Sequence, residues 1–379
     1  MQRAAGTGPG VISFFSGIGV LDIGFEDAGF RTWLANEIHP AYAAAYSHGR
    51  GTMGLPQPVR GVHGAGFTDY LSDGWKRLGL LSAMGEAREE CGSVGFIGGP
   101  PCPDFSIAGR QDGEDGQNGR LTGHYAELIV TLQPDFFLFE NVAGLWSTRK
   151  NREFYLRLRT GFREAGYRLS DRLANALDYG VAQDRRRVLL VGFRDRSFTK
   201  GAASRLAASF PWPGEIAHSA RLGLPWPGTS PFVADGALAP PPGLDETLCV
   251  EWWFRKNAVE KHDNARHHFQ PRAALERFRT IPEGDTSGKC FKRLHRWRYS
   301  PAAAYGNNEV HLHPYKERRL SVAEALAIQS LPSQFSLPGD MTLSDMFRTV
   351  GNAVPYAMAR SVAGSIAGSL VSAGSVLPA

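Results

Sequence analysis

Cysteine is scarce in this chain. Its 379 residues hold four, Cys91, Cys102, Cys249 and Cys290, with no C-x-x-C pair among them. No disulfide framework and no zinc site are signalled, so no metal is expected, and a reducing cytoplasm is the expected location. No apolar run reaches the roughly 18 residues of a membrane span, and the N-terminus has no basic stretch leading into a long apolar one, so neither a membrane segment nor a signal peptide is expected. Internal repeats are absent. So is a G-x-G-x-x-G fingerprint, which disfavours a NAD-dependent enzyme. Neither sign of charge dominates: 42 Lys and Arg stand against 37 Asp and Glu, a net charge of +5 that only hints at a polyanionic partner.

What is present has the rhythm of an α/β protein. Val11 to Phe15 is a short apolar strand running into Ser16-Gly17-Ile18-Gly19, and a helical pattern follows through Leu21, Ile23 and Phe25. Trp33 to Ala35 forms a second strand, ending at Asn36-Glu37. Strand, glycine turn, helix, strand and acidic residue open a nucleotide-binding βαβ unit. Further buried-type strands lie at Val94 to Ile97, Phe136 to Phe139 and Val188 to Phe193, with helical stretches such as Tyr125 to Leu132 and Glu153 to Ala165 between them. The alternation predicts a mostly parallel sheet with helices on both faces.

After Arg194 the character changes. Pro and Trp become frequent and periodicity fades. From Cys249 to Ser300 twelve Lys and Arg face six Asp and Glu, which suits a phosphate-contact face; a solvated basic surface is the alternative. Aromatics are interleaved with these charges, and most are expected to form a small core. Regularity returns at Ser321-Val-Ala-Glu324, a capping box, and a final helix is expected over Val354 to Leu370. Three segments follow: a nucleotide-binding α/β domain at 1–194, a basic, irregular region at 195–310, and a return to the first domain at 311–379.

Several residues carry chemistry. Cys102 stands in Gly98-Gly99-Pro100-Pro101-Cys102-Pro103-Asp104-Phe105-Ser106 after the strand at 94–97, where prolines that lock φ would make a rigid mount for a thiol. A structural cysteine in a Pro-rich loop is the alternative from this segment alone. The glycine-bearing stretch 104–121 beside it reads as a lid or a surface loop. Phe15 to Gly19 places glycines where a cofactor can approach a helix N-terminus. Glu37 is spaced to accept from a ribose diol. Glu140 and Asn141 end an apolar strand, and a Glu among Phe side chains should have a raised pKa and be able to protonate a ring nitrogen. On an extended segment Gln183, Arg185 and Arg187 share one face, suited to a base carbonyl and a phosphate; a salt-bridge ladder is the alternative.

With those residues in place, the chain resembles the DNA (cytosine-5) methyltransferases. Phe15-Ser-Gly-Ile-Gly19, Pro101-Cys102 with Phe105-Ser106, Glu140-Asn141-Val142, Gln183-x-Arg185-x-Arg187, Arg319-Leu-Ser-Val-Ala-Glu324 and Gly351-Asn352-Ala-Val-Pro355 are similar to that family's motifs, in its order. Residues 195–310 fall where the family carries its variable target-recognition region, and the resemblance makes 1–194 the catalytic and cofactor-binding domain, to which 311–379 return. Val20 replaces a third glycine common in the family, and Pro103-Asp104 follows the cysteine where Gln is common. No residue is assigned to the cofactor's adenine; Asp69 is a weak candidate.

The resemblance implies a Rossmann-like S-adenosylmethionine-dependent fold with no metal. It implies methylation of cytosine C5 in a specific duplex DNA sequence, after the base is flipped out of the helix. Cys102 would attack C6. Glu140 would bond N3 and the exocyclic amine, Arg187 would contact the base carbonyl and orient Glu140, and Arg185 with Ser106 would hold phosphate. Phe15, Ser16, Gly17, Ile18, Gly19, Glu37, Pro101, Leu121 and Asn352 would bind the cofactor; Ser106, Asn141 and Gln183 would meet DNA. The implied setting is a monomer in a bacterial cytoplasm, acting at the nucleoid, in a restriction–modification or orphan system with any cognate endonuclease acting separately. A tRNA cytosine-5 methyltransferase and a non-catalytic DNA-binding relative are the competing readings.

Overall fold

A computed structural model describes residues 8–101, 116–213, 223–271, 275–303, 305 and 309–372. Seven strands form the main sheet: β1 (Gly10–Phe14), β2 (Arg31–Asn36), β3 (Val62–His63), β4 (Val94–Gly98), β5 (Phe136–Val142), β6 (Tyr167–Asn175) and β8 (Arg186–Arg194). Two short strands, β7 (Gln183–Asp184) and β9 (Ser300–Pro301), pair separately in parallel. The order across the main sheet is β3-β2-β1-β4-β5-β8-β6. β1 to β5 are parallel, and β8 runs antiparallel between β5 and β6. Parallel neighbours need crossover connections, supplied here by helices such as Val20–Asp27, Pro40–Thr52, Gly74–Cys91 and Gln117–Leu132.

The inner strands β1, β4, β5 and β8 are apolar at most successive positions because both faces of the sheet are covered there. Along β5, Phe137 and Phe139 enter one core with Phe14, Phe96 and Tyr125. Phe136 and Leu138 enter the other, with Val11, Val191 and the C-terminal helix Tyr356–Ser372. The period of two assigns alternate residues to opposite faces. Glycines make room for the rings: Phe137 pairs with Gly192 and Phe136 with Gly95. A Cβ at either glycine would lie 2.1 Å from its partner's ring.

A third core joins the start of the chain to its later part, with Ile18, Val20 and Ile23 beside Trp253, Leu320, Leu326 and Phe347. Its helix Val322–Ile328 begins with the capping box expected from sequence, Glu324 accepting from the Ser321 N–H at 2.7 Å and the Ser321 hydroxyl accepting from the Glu324 N–H at 3.3 Å. Among the described residues no helix is long and apolar enough to cross a membrane.

The basic segment is partly consumed internally. Arg293 is fully buried and donates to the carbonyls of Phe278, Ile281, His313 and Lys316, and Arg296 pairs with buried Glu283 at 2.8 Å. Trp253, Phe254 and Trp297 are buried, as expected of a core; Trp252, Phe269, Phe291 and Tyr299 are half-buried. At least two of the twelve cations are therefore structural.

The Phe137–Gly192 pairing makes a direct prediction. Gly192→Ala overpacks the sheet and lowers stability by about 1–3 kcal/mol, seen as an earlier urea midpoint with an unchanged slope.

Candidate active site

Chain direction decides which residues meet. In a parallel sheet every strand presents its carboxyl end at one edge, where ligands bind. The turn 15–19 after β1, Glu37 after β2, Gly99 to Pro101 after β4, and Glu140 to Val142 at the end of β5 all lie there. β8 runs the other way, so its beginning lies at the same edge, and Arg187 sits opposite Val142.

Glu140 and Arg187 meet as an ion pair, Nε to Oε1 at 3.0 Å, both side chains largely buried. The other Glu140 oxygen lies over Gly99, where a Cβ would come within 2.5 Å of it. No other residue leaves that approach open. Burial pushes the Glu140 carboxyl up from its ordinary value; Arg187 and Arg185 oppose that shift without cancelling it. The group is thus held with an enhanced proton affinity, suited to hydrogen-bonding a ring nitrogen.

The path through Gln183, Arg185 and Arg187 departs from the expected extended segment. The chain does not run extended through 183–187. It leaves the small β7–β9 sheet at Asp184 and enters the main sheet at Arg186, so period-two alternation does not carry across Arg185. Arg185 is only 2% exposed; its N–H donates to Asn175 Oδ1 at 3.2 Å and its guanidinium to the Asn352 carbonyl at 3.4 Å. Arg185 is thus set inward, beside the end of the helix Leu343–Asn352. Gln183 is fully buried, accepting from the Ala303 N–H at 3.1 Å and donating to Gln329 at 3.4 Å. It fastens three stretches of chain together. Asn141 is also fully buried, with Oδ1 accepting from the Val142 N–H at 2.9 Å and Nδ2 without a partner among the described residues.

On the neighbouring strands the chain builds a cradle. Phe15, Gly17 and Gly19 have φ of 55°, 56° and 80°, a left-handed path that glycine adopts at little cost. Among the described residues a Cβ on Gly17 would meet only Thr349 Oγ1, at 3.8 Å, so they leave the space over this turn open. Glu37 accepts from the Gly17 N–H at 2.9 Å and the His39 N–H at 2.8 Å. It ties the turn to the end of β2, and each carboxylate oxygen keeps a lone pair. Phe15 stacks on Phe67 at 4.7 Å. Ile18 is buried in the third core, and the Ser16 hydroxyl is turned inward onto Ser13 at 2.9 Å. Leu121 is half-buried against the first core, while Pro101 and Asn352 are exposed. Asp69 is held in an ion pair with Lys76.

Cys102, Ser106 and residues 104–115 of the glycine-bearing stretch lie outside the described residues. A cavity of about 440 Å³ at the β3 edge, lined by Leu34, Arg60, Tyr70 and Leu80 among others, shares no residue with the Glu140 set. Three participants escaped the sequence reading: Asp22 and Tyr46 beneath the glycine turn, and Asn36, whose amide holds the chain after β3 through the carbonyls of His63 and Ala65, both at 3.0 Å. The one available signal was a lone Asp inside an apolar helix face. Among the described residues no group of three His, Cys, Asp or Glu is arranged to hold a metal.

This sheet order, with a glycine turn after β1 and a carboxylate after β2, defines a Rossmann-like methyltransferase fold, and solved structures share it. The Dnmt2 methyltransferase of S. pombe superposes with a TM-score of 0.59 at 13% identity, over 97% of this chain and 99% of its own. The methyltransferase EhMeth of Entamoeba histolytica gives 0.59 at 12% identity, over 96% and 98%. Sequence comparison is more specific. The C-5 cytosine-specific DNA methylase family profile matches residues 88–368. The Type II methyltransferase M.NmeDI of Neisseria meningitidis serogroup C is 48% identical over 353 residues, 93% of this chain and 82% of that one. M.FnuDI of Fusobacterium nucleatum is 30% identical over 373 residues, 93% and 92% of the two chains. The chain belongs to the C-5 cytosine-specific DNA methylase family. It is a DNA (cytosine-5) methyltransferase, and S-adenosylmethionine is its methyl donor.

The Glu140–Gly99 approach gives a prediction. Gly99→Ala displaces the Glu140 carboxyl and lowers kcat at least as much as removal of a positioned acid, about 10²-fold or more, with the melting temperature changed by only a few degrees. Methyl transfer to DNA and a thermal melt of the same sample measure the two.

Proposed function

We propose that the protein methylates C5 of one cytosine within a specific duplex DNA sequence, as the modification partner of a restriction system. The Glu140–Arg187 pair carries this reading, set at the carboxyl edge beside the end of β4 from which the chain enters Pro101-Cys102. The Type II methyltransferase relatives support the restriction setting. The cytosine is flipped out of the duplex, because a thiol cannot reach C6 of a stacked base.

The chemistry follows from the residues. A free thiol is only a few per cent thiolate near neutral pH, so the Cys102 proton must leave first. The Cys102 sulfur then forms a bond to C6, and the C5–C6 π electrons move to C5. Glu140, with its raised proton affinity, bonds N3 and the exocyclic amine and stabilises the charge that develops on the ring. Arg187 holds Glu140 in place and faces the base carbonyl. Arg185 acts from inside, linking Asn175 to the Asn352 carbonyl and so bracing the segment that leads to Arg187. When bound, S-adenosylmethionine supplies the electrophilic methyl group. Loss of the C5 proton restores the double bond and releases the Cys102 thiolate.

The open space over Gly17 and the free lone pairs of Glu37 fit that cofactor. The turn 15–19, Glu37 and the Thr349 side of the helix Leu343–Asn352 would hold it. Residues 195–310 supply the recognition region, and the protein works as a soluble cytoplasmic monomer.

Two outcomes test this. Labelled S-adenosylmethionine should transfer its methyl group to duplex DNA and not to tRNA; transfer to tRNA alone refutes the DNA reading. A duplex with 5-fluorocytosine at the target should trap a covalent adduct, because fluorine cannot leave as the C5 proton does. Persistence of the adduct in Cys102→Ala overturns the nucleophile assignment. Activity should also fall as the pH rises through the Glu140 pKa, since a raised pKa keeps the carboxyl protonated only below it, and Glu140→Gln should lose that limb of the pH profile.

A further inference from the structure

Beneath the glycine turn runs a chain of buried hydrogen bonds. The Ser16 hydroxyl donates to Ser13 Oγ at 2.9 Å, and Ser13 donates to Asp22 Oδ1 at 2.6 Å. The Tyr46 hydroxyl donates to Asp22 Oδ2 at 2.7 Å. Asp22 and Tyr46 are wholly inaccessible. Tyr46 also supports the turn directly, because its ring lies where a Gly19 Cβ would be, 2.7 Å from Cε2. It stands on the helix Pro40–Thr52, which starts three residues after Glu37. Asp22 therefore joins the end of β1, the helix that follows the glycine turn, and the helix that follows Glu37.

We propose that Asp22 is a positioning residue for cofactor binding, fixing the 15–19 turn relative to Glu37 through Ser13 and Tyr46. The inference rests on the reading that this turn and Glu37 hold S-adenosylmethionine. Apolar contacts already pack the two helices into the hydrophobic cores, and a buried carboxyl is costly unless fully bonded. A group kept at that cost, with both oxygens aimed at the supports of one turn, is explained by the geometry it imposes there.

The ionised form is the stronger clamp, since both of its oxygens accept charge-assisted bonds from the hydroxyls. A protonated Asp22 carries a proton on one oxygen, and the bond there must weaken or reverse its direction. The ionisable groups facing Asp22 are Tyr46 and Arg50 from the helix Pro40–Thr52 and Glu26 from its own helix, with Glu26 paired to Arg50 at 2.9 Å. β1 contributes only the Ser13 hydroxyl, and the C-terminal helix meets this helix at Gly24 through Ala359. Burial raises the Asp22 carboxyl to about 7 against the pull of the Ser13 and Tyr46 bonds, so the clamp should switch within an accessible pH range.

Calorimetric titration with S-adenosylhomocysteine tests the proposal, using the whole protein at pH 8 and pH 6. At pH 8, Asp22→Asn should bind about ten-fold more weakly, which is about 1.4 kcal/mol. Its KM for the methyl donor should rise by the same factor, while kcat at saturating donor and the KM for DNA move less than two-fold. Wild type should weaken toward the variant at pH 6, and the variant should be flat. Tyr46→Phe removes one of the two donors and should weaken binding about three-fold, which serves if Asp22→Asn does not fold. A folded Asp22→Asn, or failing that a folded Tyr46→Phe, that binds like wild type at pH 8 overturns the proposal. Wild type that binds no S-adenosylhomocysteine at either pH overturns the cofactor reading itself, a distinguishable result.

Discussion

The reversed strand β8 is the constraint on which the catalytic edge depends. In a sheet of parallel strands, residues that precede a strand lie at the edge opposite the ligand crevice. β8 alone among the strands beside β5 runs backwards, so the residues at its start arrive where the others end. The register then sets Arg187 across from Val142, close enough for its guanidinium to reach Glu140 at 3.0 Å. A shift of one residue would turn Arg187 to the opposite face of the sheet. The pair is also closed from the β4 side by Gly99, whose missing side chain is the space the Glu140 carboxyl occupies. Three strands thus contribute to one carboxylate, and its raised proton affinity follows from being enclosed by them.

The other half of the edge is organised by backbone. Three left-handed residues in five produce the turn after β1, and the Gly17 N–H binds the Glu37 carboxylate. Late segments of the chain return to brace both halves. Thr349 stands beside Gly17, the Asn352 carbonyl receives Arg185, and Gln329 and Ala303 hold Gln183. These contacts span more than a hundred residues of sequence, and they explain why motifs far apart in the chain belong to one site.

Much of the fold was legible in the sequence. The strands at 10–14, 94–98, 136–142 and 186–194 were visible as the apolar runs 11–15, 94–97, 136–139 and 188–193, because a two-faced sheet leaves few polar positions along its strands. The capping box at Ser321 and Glu324 is local chemistry and appears as read. Glu140 and Arg187, which the structure pairs, stood out in the sequence because a charge at the border of an apolar run is conspicuous. The shared face expected of Gln183, Arg185 and Arg187 was not legible. Alternation predicts a side chain's direction only while a strand is continuous, and here the chain changes sheets at Arg185. Composition also overstated the basic face, since Arg293 and Arg296 hold carbonyls and a carboxylate inside the protein. Charge counts record how many cations exist and not which of them water reaches.

The sequence by itself determined the elements, their order, and the kinds of residue at the turns, because apolar periodicity, glycine and proline act within a few residues. The tertiary structure alone decided which ends meet. Strand direction and register put Arg187 on Glu140, the change of sheet at Arg185 turned Gln183 inward, and burial raised the affinity of Glu140 and Asp22 for protons. Each of these is a property of what surrounds a side chain in space, and a carboxylate in the linear chain carries no mark of the low-dielectric enclosure that will shift it.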